Sequence, residues 1–433
     1  MSKLWAKGYQ LNQVVEDFMS GSDPLLDLRI AHYDCVASIA HAQMLESINI
    51  LTKDECAQLV AKLNEIIALV EQGKFTIAAT QEDVHTAIEN YLVEHLGAVG
   101  KKIHTARSRN DQVLTALRLY SKHEIKSIMT KLINTLEVLH KFSVKFQNIP
   151  YVGRTHYQKA MPSSMGLWMG AFIEALIDDA GLLCGSYQLI DQCPLGSAAS
   201  YGVNLPIDRE LTSELLDFAK VQNNVLYANN SRGKFESVII HALSQIMLDL
   251  AKLSTDIILF SAPELGYLSL PQQFCPGSSL MPNKKNPDPF ELIRAKSATV
   301  MANLWQTMEV IRALPSGYNR DFQETKRPLY DSFDTVAEVL DVVAIILAEV
   351  EVNQDKCLAG FSGEVFATDY ALELAVSGVP FRDAYQQVAT NLEQLSNRDP
   401  LSNIQGKTHL GAPGNLGLEQ LRLQIAALKD FTI

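Results

Sequence analysis

The chain has 433 residues, 47% of them hydrophobic, and sets 49 acidic against 37 basic side chains for a formal charge of −12. That length buries a large core and predicts two or three domains, while the acidic excess argues against nucleic acid or an anionic membrane as a partner. An anionic substrate would need a local positive exception to that field. The opening MSKLWAKGYQLNQVVEDF has no apolar core of a secretory signal, and no uncharged apolar window is long enough to span a bilayer. The cysteines at 35, 56, 184, 193, 275 and 357 form no CxxC pair, which predicts reduced thiols in a cytoplasmic protein.

Along the chain, strand-like alternation is scarce and helical spacing recurs. Shorter helical pieces come first, at 52–72 and 83–96. The stretch 112–148 then contains neither Gly nor Pro. Within it Leu114, Leu117, Ile125, Ile128, Leu132, Leu136, Leu139 and Phe146 fall at helical spacing. Four more long segments follow, at 162–191, 233–261, 289–314 and 325–352. Helices far above the usual length, each with an apolar stripe, predict an all-α protein built on a long central bundle. VVAIILAEV (342–350) is apolar on more than one face, which predicts burial between subunits of a homo-oligomer. Past about 355 the pieces shorten again. The expected division is an N-terminal helical domain (1–111), a central long-helix domain (112–354) and a small C-terminal helical domain (355–433).

Four polar islands interrupt the helices. HTARSRNDQ (104–112) places two arginines, Ser108 and Asn110 at the start of the longest helix, where free backbone N–H groups favour a carboxylate. An N-cap flanked by solvated arginines is the plainer alternative. GRTHYQKAMP (153–162) sets Thr155, His156 and Gln158 in a loop entering the next helix, and a loop histidine is suited to proton transfer. CPGSSLMPNKKNPDPFELI (275–293) packs Gly and Pro around Ser278, Lys284 and Asn286. A serine becomes a base only where positive charge or amide donors stabilise its alkoxide, and Lys284 sits within range in sequence. YNRDFQETK (318–326) brings Tyr318, Arg320, Gln323 and Lys326, all able to grip a polar substrate. Taken singly, the second, third and fourth islands also read as a structural histidine, a Pro-rich connector and a charged connector.

No GxGxxG, GxxxxGK[ST], HExxH or GxSxG is present, and the histidines lack metal-ligand spacing. Acid–base chemistry without metal or cofactor is the expectation that remains.

In this order the islands resemble the aspartase/fumarase superfamily. GSSLMPNKKNP (277–287) matches its signature loop, GSSxMPxKxNP, at every fixed position. HTARSRND, the lysine pair of KKNPD, and YNRDFQETK are similar to the argininosuccinate lyases in particular. ATDYALELAVSGVPFRDA (367–384) looks like that family's C-terminal domain. The resemblance implies an aspartase/fumarase-like homotetramer with a shared helical bundle and active sites assembled from three subunits. It implies reversible elimination of argininosuccinate to arginine and fumarate in arginine biosynthesis. By the same resemblance Ser278 is the base, and Lys284 and Asn286 stabilise the aci-carboxylate. His156 is the site histidine with Glu291 as its acidic partner. Ser108, Asn110, Thr155, Tyr318, Gln323 and Lys326 bind substrate. Arg109 is a carboxylate clamp by its chemistry. Because the substrate carries three carboxylates, Arg107, Arg109, Lys284, Lys285, Arg320 and Lys326 are the cations expected to gather at the site.

The chain departs from the pattern in places. Ala106 stands where the family usually has glycine, a change expected to be harmless. Tyr157 and Met161 vary the second island. NSRGKFE (230–236) replaces Ser-Asp-Arg-Asp-Phe and puts Gly233 in the arginine's place, so that Arg232 or Lys234 would have to supply the cation. The segment after LW lacks the usual glycine-rich start. Two other readings stay open: a different fumarate-releasing lyase, acting on adenylosuccinate or a modified argininosuccinate, and a crystallin-like homologue without activity.

Overall fold

Five helices carry the architecture: Arg109–Phe146, Met165–Ile190, Lys234–Ser261, Asp288–Ile311 and Lys326–Leu347. They appear in a computed structural model that describes residues 12–78, 81–395 and 398–429. The protein is all-α, as its periodicity predicts. The first of the five, 38 residues, extends about 57 Å at 1.5 Å per residue. All eight apolar positions of its stripe are buried. Two short antiparallel pairs are the strands among the described residues: Pro150–Thr155 with Gln158–Ser164, and Leu268–Ser269 with Glu351–Val352.

The first pair differs from the expectation of a loop leading to a helix near 162. Pro162 reads in sequence as a helix start, yet it pairs with Val152, next to a register irregularity between Val152 and Arg154. Proline's missing N–H is tolerated beside such a bulge. The helix begins at Met165 instead.

The chain forms two compact units. One comprises Met1–Ser127, Leu183–Ala242 and Met301–Phe333; the other Ile128–Leu182, Leu243–Val300 and Asp334–Ile433. Each long helix begins in one unit and ends in the other. In the first unit, helices Ala31–Ser47, Lys53–Glu71 and Val84–Leu96 pack on one another. A reciprocal capping box of Thr52 and Glu55 starts the second of these. Tyr120 meets Tyr330 and Phe333 edge to face at 5.0 and 6.0 Å. In the second unit, Trp168 lies between Phe142, Phe172 and Phe260, and its indole N–H donates to Asp256 at 3.0 Å. The departure after LW lies outside the described residues.

Candidate functional site

In the first unit, Ser108 caps the longest helix. Its Oγ accepts from Asn110 N at 3.3 Å, and Asp111 Oδ1 accepts from Ser108 N at 3.0 Å. This reciprocal cap is the plainer reading of the first island, and it holds. The arginines beside it are not solvated. Arg107 is buried and donates to Ser38 Oγ at 2.7 Å. Arg109 bonds Glu82 and Asp83 at 3.0 Å and Thr86 at 3.1 Å. Asp83 also caps the helix Val84–Leu96 by accepting from Thr86 N at 2.7 Å, so that helix start is what fixes the Arg109 guanidinium.

Arg109 and Asn110 share a cleft with Tyr318, Gln323 and Lys326, which joins the first and fourth islands. Lys326 is 3% exposed and bridges Asp23 at 2.7 Å and Asp27 at 2.6 Å. Arg320 bonds Glu82 at 2.8 Å and the Met19 carbonyl at 2.8 Å; Gln323 donates to the same carbonyl at 3.2 Å. Arg109, Arg232, Arg320 and Lys326 thus face Asp23, Asp27, Glu82 and Asp83, four charges of each sign. One lysine against two aspartates leaves carboxylate charge over: burial pushes Asp23 up to about 6, against the pull of Lys326.

His85 also lines this cleft and lies 2.7 Å from buried Asp34. Burial alone would lower the imidazole and raise the carboxyl. The pairing wins: His85 is held above the usual histidine range and Asp34 below the usual carboxylate range. Gln112 donates to both oxygens of Asp34, at 2.8 and 3.1 Å.

The second unit holds the remaining candidates. The signature loop closes on itself through a bridge between Gly277 and Lys285 and a bond from Asn286 N to Pro276 O at 3.2 Å. At its tip, Ser278 Oγ accepts from Leu280 N at 3.2 Å and Met281 N at 3.0 Å. Lys284, Asn286 and Glu291 line a second cleft with Cys275 and Leu268–Leu270. Ser278 is not part of that lining. Lys284 and Lys285 are exposed and make no ion pair among the described residues.

Thr155 and His156 stand apart from that cleft. Thr155 pairs with Gln158 across a two-residue turn whose central residues, His156 and Tyr157, have φ of 53° and 61°. Such a turn ordinarily calls for Asn-Gly. Two bulky side chains there store strain, which persists where a position serves function. Both are exposed, and among the described residues no ion pair joins His156 to Glu291.

Residues 20–302 match the family described as "Lyase". An argininosuccinate lyase of Thermotoga neapolitana is 48% identical over 387 residues, 89% of this chain and 97% of that protein. One of Bacteroides fragilis is 40% identical over 438 aligned positions, 100% of this chain and 95% of that protein. The chain belongs to the argininosuccinate lyase family. Its fold is that of an EDDS lyase solved with formate, at TM-score 0.83, 20% identity, and 98% and 92% coverage of the two chains. A fumarate lyase:delta crystallin from Brucella melitensis gives 0.72 at 20% identity, covering 98% and 93%.

Ala106, where glycine was the family residue expected, carries a backbone cost that the sequence did not show. Its φ is 62°, the left-handed conformation that glycine adopts without cost. Sequence reasoning missed Asp23, Asp27, Glu82, Asp83 and His85. QEDVHT (81–86) was the available signal, since it concentrates two acids and a histidine at a helix start.

Proposed function

We propose that the chain cleaves argininosuccinate reversibly to arginine and fumarate by β-elimination, as a cytoplasmic enzyme of arginine biosynthesis. One observation carries the mechanism: two backbone N–H groups already point at Ser278 Oγ. Hydrogen bonds to the charged form favour it, so the loop stabilises the alkoxide that a serine base requires. That oxygen takes the proton from the succinyl carbon next to a carboxylate. The C–N bond then breaks, the C=C bond forms, and the departing guanidine nitrogen takes a proton from the side of His156. Lys284 and Asn286 meet the negative charge as it develops on the aci-carboxylate. His156 works with Glu291, and Ser108, Arg109, Asn110, Thr155, Tyr318, Gln323 and Lys326 hold the substrate.

The two ends of argininosuccinate differ in charge, and so do the two clefts. The charge-balanced cleft around Lys326 suits a guanidinium and an amino-acid zwitterion. The unpaired Lys284 and Lys285 suit the dicarboxylate.

The assembly belongs to the same proposal: a homotetramer in which each site draws on three subunits, with 112–354 as the shared bundle between domains 1–111 and 355–433. Met301, Trp305 and Met308 support it. They fall on one helical face and are 50%, 65% and 44% exposed, an apolar patch of the kind that marks contact with another protein surface. Ile345, within the stretch apolar on more than one face, is 58% exposed. The strained, outward-facing His156 turn is equally placed to serve another copy. Cytoplasmic placement is supported by six free cysteines and by the lack, among the described residues, of a helix long and apolar enough to cross a membrane.

Purified protein is mixed with argininosuccinate and, separately, with adenylosuccinate, while fumarate absorbance is followed. Fumarate from argininosuccinate alone is the expected result. Fumarate from adenylosuccinate alone moves the chain to the other branch, and silence on both leaves a crystallin-like role. Variants lacking His156 and variants lacking Lys284, each much slower than the wild type, should regain some activity when mixed; no recovery would argue against shared sites.

A further inference from the structure

Arg232 has a different status from the other cations of its cleft. Arg109, Arg320 and Lys326 each sit against a carboxylate. Arg232 is 4% exposed, yet its guanidinium makes no hydrogen bond or ion pair among the described residues, and its Nε is buried without a partner. It lies over the rings of Tyr318 and Phe322, at 5.9 and 5.7 Å from their centres. Ring faces hold a guanidinium in place but leave its in-plane donors unused. A buried cation with unused donors is costly unless an anion completes it.

The backbone explains how this residue, and not Lys234, comes to line the cleft. Gly233 has φ of 79°, and a Cβ there would stand 2.3 Å from Ile311 Cγ2, so only glycine fits. Its left-handed step follows directly on Arg232 and begins the helix Lys234–Ser261. Lys234 is exposed and bonds Tyr227 OH at 3.2 Å. Asn230 ties the same turn to the fourth island, accepting from Gly317 N at 2.9 Å and donating to Ser316 Oγ at 3.2 Å.

We infer that Arg232 binds the α-carboxylate of the ligand's amino-acid end, in the fork geometry that guanidinium and carboxylate share, with the ammonium of the same end turned to Asp23. This rests on the function proposed above, and it assigns the Arg232–Gly233 pair as a specificity determinant for an amino acid over its amine. Asp23 fits the second half because it shares Lys326 with Asp27 and lies within electrostatic range of Arg232.

The test compares L-arginine with agmatine, which has the same guanidine and amine but no carboxylate. Fumarate release from argininosuccinate by the wild type is recorded first, and its absence overturns the proposed function, separately from this inference. In an active enzyme, L-arginine should inhibit far more strongly than agmatine. In Arg232→Met that preference should fall about 10- to 100-fold, the range for losing hydrogen bonds to a charged group. Agmatine affinity should stay within about threefold, which also reports an intact fold. If Arg232→Met does not fold, Arg232→Gln, still polar and able to lie over Phe322, carries the same comparison. An unchanged preference in whichever variant folds, or no preference in the wild type, overturns the inference.

Discussion

The Lys326 cleft and the Ser278 loop handle charge in opposite ways. Around Lys326, every cation but Arg232 is met by a carboxylate from elsewhere in the chain, and Lys326 itself is 3% exposed between Asp23 and Asp27. At the loop, Lys284 and Lys285 are exposed and make no ion pair among the described residues, and the loop is held by bonds that its own backbone N–H groups donate. A site assembled from internal ion pairs keeps its shape without ligand, because breaking any pair strands a buried charge. A loop held by a few solvent-exposed backbone bonds opens at low cost. Under the proposed function, recognition thus falls to the first region. Chemistry, which needs a charge excess and closure over the reacting carbon, falls to the second.

The sharpest way to break this comparison is at Ser278. Ser278→Ala should lower turnover by about 10²- to 10⁴-fold, the range for a positioned base, and leave thermal stability unchanged. Normal turnover by the variant would remove Ser278 from the base's role. Lys284→Met should behave alike, costing about 10²- to 10³-fold in kcat with no change in melting temperature.

Lys326→Met tests the other region and should fail in the opposite order. Removing the cation leaves Asp23 and Asp27 facing each other in a buried place, a loss of about 3–5 kcal/mol. Chemical denaturation should show this before any kinetic measurement is meaningful. If Lys326→Met proves as stable as Lys284→Met, the contrast between a prebuilt cleft and a mobile loop is wrong.

What the sequence disclosed follows the same line. The long helices were legible because an apolar stripe repeats within each segment, and the Ser278 loop because its residues are contiguous. The carboxylates of the cleft were not. Asp27 meets Lys326 across 299 positions, and a single acid in a short helical piece has no local signature of its partner. The hairpin at Pro150–Ser164 was hidden by Pro162, whose residue type favours a helix start while its pairing with Val152 makes it strand. The identity of the cation near Gly233 was also beyond reach, since only the backbone turn decides which neighbour enters the cleft.

A pH titration sharpens the picture of the first region. His85 is raised in the fold by Asp34 despite burial, so its pairing is fully stabilising below the ordinary imidazole value of 6.5 and is lost as pH rises through the elevated folded value. Asp34 is lowered, so its share holds above the ordinary carboxyl value of 3.8 and is lost as pH falls through the depressed one. The urea midpoints of wild type and His85→Asn should therefore differ most between those two values and converge on the alkaline side. A constant difference from about pH 5 to about pH 9 would mean that the pair is not ionic.

The smallest expected effect is at Ala106, beside the first island. An L-residue in the left-handed region costs about 1–2 kcal/mol, and φ of 62° puts Ala106 there. Ala106→Gly removes that strain but gives the unfolded chain more freedom, which returns about 0.4–1 kcal/mol. The net gain should be about 0.5–1 kcal/mol, read as a small rise in urea midpoint with no change in slope. It should come without loss of activity, because Ala106 itself lines neither cleft. A fall in kcat in a more stable variant would show that the strain helps hold the neighbouring Arg107–Ser108–Arg109 run in its working geometry.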